Sequence, residues 1–195
     1  MPLVLGLGNP GARYAATRHN VGWRVLETLE RRWPRVGAES DERWRTVRIE
    51  RRDRTLDLMY PLAFMNLSGE ALDDWRATHA LEIGELLVVS DDVYLPVGAL
   101  RLRERGSSGG HRGLESVERS LGGETCARLR IGVGQTASAE LREHVLETFE
   151  ADEVEAIEAS IALAADAVEC WADEGIRTAM NRFNRRVKNE EESET

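Results

Sequence analysis

His19 is the residue of this chain best suited to general-base chemistry. Imidazole titrates near neutrality, so it can take a proton from water at cellular pH. It sits in a crowded polar run, Gly6 to Asn20 (GLGNPGARYAATRHN), together with Asn9, Tyr14 and Asn20. Building a fold does not by itself call for so many polar groups directly after the apolar Leu3, Val4 and Leu5. A lone histidine at a helix start is more simply a backbone-bonded residue, but Asp91 offers a partner. It ends the apolar run Leu86–Ser90, and open α/β sheets place functional groups at the carboxyl ends of their strands. A carboxylate there can orient the imidazole and stabilise its cation, with water as the nucleophile. Asn66, in the run Phe64 to Gly69, suits either a helix cap or an amide donating to a developing oxyanion.

Other chemistries fit less well. Gly6, Gly8 and Gly11 match the GxGxxG dinucleotide fingerprint, which needs a helix to begin inside the glycine turn and meet the pyrophosphate. Here helical spacing begins only near Val21, after a polar stretch, so nucleotide binding is the weaker alternative. Ser68 lacks the first glycine of a nucleophile elbow. His19, His79, His111 and His144 show no metal-ligand spacing, so no metal and no cofactor is expected. His79 and His144 read as helix-surface residues. Cys126 and Cys170 fit no redox or ligand spacing and read as reduced thiols.

Arg101, Arg103, Arg128 and Arg130 alternate with apolar residues, so each pair points to one face of a strand. If the two strands are neighbours, four guanidiniums form a phosphate clamp. An ordinary solvated sheet face explains the same pattern equally well.

The elements that position these groups follow from periodicity. Leu3–Leu7 predicts a buried strand, and Val21, Val25, Leu26 and Leu29 predict a helix ended by Pro34 and Gly37. Residues 44–60 alternate as an antiparallel hairpin turning at 51–54. A helix follows with Ala71, Leu72, Trp75 and His79 on one side, then the Leu86–Ser90 strand, a strand at Leu100–Arg103, the turn 106–113 and a helix bearing Leu114, Val117 and Leu121. Cys126–Val133 predicts another strand, and helices fill the remainder, with an apolar stripe from Ile157 to Trp171. Strands alternating with helices give a single α/β domain, a mixed twisted sheet flanked by helices, over residues 1–188, with 189–195 a disordered acidic tail.

At 195 residues and 42% hydrophobic composition the chain fits one globular domain. No apolar run approaches a membrane span, and the N-terminus lacks a signal peptide's basic region, so the expected location is cytoplasmic. The net charge of −9 argues against a general nucleic-acid binder. That total hides a segregation: residues 98–135 hold 7 Arg and 4 Glu, while residues 136–195 hold 6 basic and 16 acidic groups.

Taken together, five ordered blocks resemble the bacterial peptidyl-tRNA hydrolases. They are GLGNPG-x-x-Y-x-x-T-R-H-N-x-G from Gly6 to Gly22, FMNLSG at 64–69, DD-x-x-LP-x-G at 91–98, GSSGGH-x-GL at 106–114 and RLRIGVG at 128–134. The resemblance implies hydrolysis of the ester joining a peptide to the 3′ end of tRNA, which recycles tRNA from stalled translation, by a monomer. It assigns His19 as general base and Asp91 as its orienting group, with Asn9 contacting the peptide. Asn66, Tyr14, Phe64 and Met65 would line the peptide and terminal-adenosine groove, and Arg101 and Arg130 would grip the tRNA 5′ phosphate. The chain departs from the family where Arg112 replaces the Asn of GGHNGL, Tyr60 replaces a usual Lys and Tyr94 a usual Asp. Arg112 enters the substrate-binding set with five donors and no acceptor. That change motivates the alternative, a weak or inactive paralogue that keeps an RNA-binding groove.

Overall fold

The computed structural model describes residues 1–52, 54–136 and 140–184; the expected boundary at 188 and the tail 189–195 lie outside them. Its strands are β1 (Leu3–Gly6), β2 (Arg35–Ser40), β3 (Trp44–Arg51), β4 (Arg54–Pro61), β5 (Leu86–Asp92), β6 (Leu100–Arg103) and β7 (Ala127–Gly132). Its helices are α1 (Val21–Arg32), α2 (Ser68–Arg76), α3 (Arg112–Ser120), α4 (Leu141–Leu146), α5 (Val154–Glu174) and α6 (Ile176–Phe183). The strands make one 7-stranded sheet in the order β2-β3-β4-β1-β5-β7-β6. β1 runs parallel to β4 and β5, and β5 parallel to β7, while β2, β3 and β6 add antiparallel at the two sides.

Strand alternation divides the core into two layers. Val4, Leu87 and Val89 face α1 and α5, whose Val25, Leu29, Ile161 and Val168 complete one cluster. Leu3, Leu5, Leu86 and Val88 face α2 and α3, meeting Leu72, Trp75, Leu114 and Val117. Both faces of β1 and β5 are therefore covered, as central parallel strands require, and their carboxyl ends open between the layers.

The expected mixed α/β sheet is present, with one strand more than the sequence disclosed. β2 occupies residues expected only to end the first helix. Five of its six residues are exposed and the sixth half-buried, so it carries no apolar alternation to signal a strand. It forms as an edge strand through its pairing with β3. The glycines of the opening turn serve packing. A Cβ on Gly6 would lie 2.8 Å from the Gly22 carbonyl oxygen, and one on Gly8 would lie 2.6 Å from the Trp23 ring. They let α1 sit close against the end of β1, and α1 itself begins at Val21, ten residues after the turn closes at Gly11.

Candidate active site

The carboxyl end of β5 delivers Asp91 to the gap between the layers, 2% exposed. A 3-10 turn, Arg18–Asn20, leads into α1 and brings His19 from one layer; its Nδ1 lies 2.8 Å from Asp91 Oδ1. From the other layer His111 places Nε2 2.9 Å from the same oxygen. The His111 Nδ1 accepts from the backbone N–H groups of Gly113 (3.1 Å) and Leu114 (3.3 Å), capping α3. With Nδ1 turned to the α3 backbone, the ring presents its Nε2–H to Asp91. Asp91 thus accepts from two imidazoles, and His19, donating through Nδ1, turns the Nε2 lone pair toward the cleft. Burial alone would raise the Asp91 carboxyl, but the charges and hydrogen bonds of His19 and His111 outweigh it and hold the group well below the usual carboxylate range.

The turn that carries His19 is tied down on both sides. Arg18 is buried, donates to the Val133 carbonyl (3.0 Å) and to Glu153 (2.7 Å), and stacks on Phe149. Asn20 clasps the Asn9 backbone: its Oδ1 accepts from Asn9 N (2.9 Å) and its Nδ2 donates to Asn9 O (3.0 Å). Asn9 in turn accepts the Met65 N–H on Oδ1 at 2.8 Å, so its Nδ2 is the group left for a ligand. These contacts fasten three of the sequence blocks together at one point.

A cleft of about 690 Å³ opens over these groups. Asn9, Tyr14, His19, Asp91, Asn66 and Arg112 line it, with Phe64, Met65 and Arg130. Asn66 is exposed and caps nothing: Leu67 holds the α2 cap position and makes no side-chain cap bond. Met65 is buried with its sulfur against Gly113, where a Cβ would lie 2.5 Å from Sδ, and Phe64 stands 54% exposed. α4, which no apolar stripe announced, forms a further wall with Leu141, Arg142, Val145 and Leu146.

The four-arginine clamp does not form as a set. β6 and β7 are antiparallel neighbours, with Arg101 opposite Arg130 and Arg103 opposite Arg128. Arg128, however, is 1% exposed, donating to Glu118 (3.0 Å) and to the Ser107 carbonyl (3.1 Å) beneath α3. Arg130 lines the cleft with its Nε 3.0 Å from Asp92, while Arg101 and Arg103 are exposed and have no ion pair among the described residues.

Three further expectations need correcting. His79 is not a helix-surface residue; it lies beyond α2, stacked on Trp75 at 4.5 Å. His144 turns inward from α4, its Nε2 3.1 Å from the Gly134 carbonyl. And although the spacing in sequence shows no ligand set, ligand-capable atoms of His19, Asp91 and His111 lie within 4.8 Å of one another. Both His111 nitrogens and one Asp91 oxygen are already engaged in hydrogen bonds, which leaves His19 Nε2 as the open lone pair of the group. His111 itself escaped sequence reading as a site residue, its only signal being its place in the GGH block. Of the two smaller departures, Tyr94 reaches the cleft rim, 59% exposed, whereas Tyr60 is buried away from it and donates to Glu30.

Ser68 is buried and donates to the Met65 carbonyl, and burial pushes the Cys126 thiol up to about 11 outside the cleft. An α/β domain that holds a histidine–carboxylate pair in an open cleft is suited to general-base chemistry. The family model for peptidyl-tRNA hydrolase matches residues 3–192. This chain belongs to that family, carboxylic ester hydrolases that release tRNA from peptidyl-tRNA. It is 41% identical over 184 residues to the peptidyl-tRNA hydrolase of Syntrophomonas wolfei subsp. wolfei, covering 94% of this chain and 100% of that protein. To the peptidyl-tRNA hydrolase of Synechococcus sp. (strain JA-2-3B'a(2-13)) it is 43% identical over 195 residues, covering 94% and 83%. The crystal structure of peptidyl-tRNA hydrolase from Acinetobacter baumannii superposes with a TM-score of 0.87 at 28% identity, covering 94% of each chain. No described helix is long and apolar enough to cross a membrane.

Proposed function

We propose that His19 is the general base of this hydrolase and that the chain acts as a cytoplasmic monomer on tRNA whose 3′ end carries a peptide. The observation that carries the proposal is the 2.8 Å bond from His19 Nδ1 to Asp91. It leaves Nε2 as the acceptor that faces the cleft. Nε2 takes a proton as water attacks the ester carbonyl, and Asp91 stabilises the imidazolium that forms. The same proton then passes to the 3′ oxygen of the departing ribose, which regenerates neutral His19.

Asn9 Nδ2 and the Asn66 amide donate to the peptide and the developing oxyanion. Tyr14, Phe64 and Met65 provide the wall on which the peptide and terminal adenosine rest. Arg101, with Arg130 opposite it in the β6–β7 register, holds the 5′ phosphate. A paralogue that only bound RNA would have no use for a buried carboxylate aligned on a histidine. The test is single-turnover hydrolysis of N-acetyl-aminoacyl-tRNA by the wild type and His19→Ala. The variant should lose roughly two or more orders of magnitude in rate. A wild-type rate no better than that of His19→Ala overturns the assignment.

A further inference from the structure

The charges lining the cleft do not balance. Its two acidic residues are both engaged: Asp91 by two imidazoles, and Asp92 by Arg130 at 3.0 Å and by the Tyr94 N–H at 2.9 Å. Of its three arginines, Arg112 and Arg142 have no ion pair among the described residues. Arg112 is exposed in the cleft lining and adjoins a residue bonded to Asp91. It follows His111, whose ring donates to Asp91, and it opens α3, whose own N-terminus adds positive potential. The wall beside it is apolar, with Met65 packed on Gly113 and Phe64 exposed at the rim. An unpaired, exposed guanidinium beside apolar walls, with no free carboxylate in the lining, makes this side of the cleft electropositive.

We propose that Arg112 makes this site select by charge at the residue esterified to tRNA, favouring a carboxylate side chain over an ammonium one. The proposal rests on the hydrolase assignment above and deepens it. A guanidinium offers only donors, so it can hold a carboxylate in a bidentate pair and gives a lysine ammonium nothing but repulsion. An asparagine in its place would treat the two alike, accepting from one and donating to the other.

The test uses one tRNA body charged with N-acetyl-glutamate, N-acetyl-glutamine or N-acetyl-lysine, so that only the side chain differs and none carries a free α-amine. Single-turnover kcat/KM is measured for the wild type, Arg112→Asn and Arg112→Glu, each checked for native circular dichroism. The wild type should prefer glutamate to lysine by about tenfold, with glutamine between, and about 0.5 M salt should compress the spread. Arg112→Asn should bring the ratio near one, and Arg112→Glu should invert it. A ratio that is the same in all three proteins overturns the proposal. So does a uniform rise in KM in Arg112→Asn, which would make the arginine a tRNA phosphate contact, or a uniform fall in kcat, which would place it on the reacting carbonyl. A wild type that cleaved none of the substrates would sink the hydrolase assignment itself, a result distinct from uniform cleavage of all three.

Discussion

Asp91 joins two histidines that reach it from opposite layers, so its ionisation matters to both. Both rings donate to the same Oδ1, so Asp91→Asn either keeps that acceptor without its charge or turns an NH₂ to both donors, and in either case the His19 imidazolium loses its stabilisation. The rate should fall about 10²- to 10⁴-fold with KM little changed, measured by single-turnover hydrolysis. The variant should also alter acid stability. The folded carboxyl lies below its unfolded value, so its contribution is full above about pH 4 and is lost as pH falls further, because the unfolded state then binds the extra proton. Urea unfolding between about pH 5 and pH 3 should therefore weaken faster in the wild type than in Asp91→Asn. Equal slopes would show that Asp91 is not held ionised by its neighbours. At this scale the sequence was legible where chemistry and position coincided. His19 and Asp91 stood out because an imidazole and a strand-end carboxylate have few structural duties there. His111 did not, since its partner is 20 residues away in sequence and meets it only when α3 packs on the sheet.

Elements place these side chains through close backbone approach. Gly69 in α2 lies against Ser116 in α3: its N–H donates to Ser116 Oγ at 2.9 Å, and a Cβ there would lie 2.0 Å from the Ser116 carbonyl oxygen. Backbone cannot yield as a side-chain tip can, so Gly69→Ala must push the helices apart. The expected cost is about 1–3 kcal/mol, lowering Tm by about 2–4 °C per kcal/mol, and because α3 carries His111 the rate should fall as well. An unchanged Tm in thermal denaturation would refute the packing account. The same contact explains what periodicity could not supply. Buried strands and the α1 and α5 stripes were readable because burial imposes a period on residue type. β2, exposed nearly throughout, imposes none, and Arg128 read as a surface residue because alternation alone does not say whether a helix covers that face. α3 does, with Glu118 as the partner.

The charge of the whole molecule resolves into two faces. Six acidic side chains of the α5 region are bound to arginines: Glu153 to Arg18, Glu158 to Arg24, Asp166 to Arg32, Glu169 and Asp173 to Arg51 and Glu174 to Arg182. These pairs knit α5 to α1, β3 and α6, in the layer opposite α2 and α3, so the acidity of this region is balanced locally by arginines while the net −9 of the chain stands. The groove side keeps Arg101, Arg103, Arg112 and Arg142 without ion pairs among the described residues. An acidic protein can therefore present a basic strip to RNA, and counterion release on that strip sets the salt dependence of binding. Arg101 is the cleanest probe, since Arg130 also engages Asp92. Arg101→Ala should raise KM for tRNA bearing a 5′ phosphate while leaving kcat unchanged, and should make the log–log salt slope shallower by about one. Removing the 5′ phosphate from the substrate should raise the wild-type KM toward that of the variant. If the variant still distinguishes phosphorylated from dephosphorylated tRNA as the wild type does, Arg101 belongs to a solvated sheet face and the phosphate is held elsewhere.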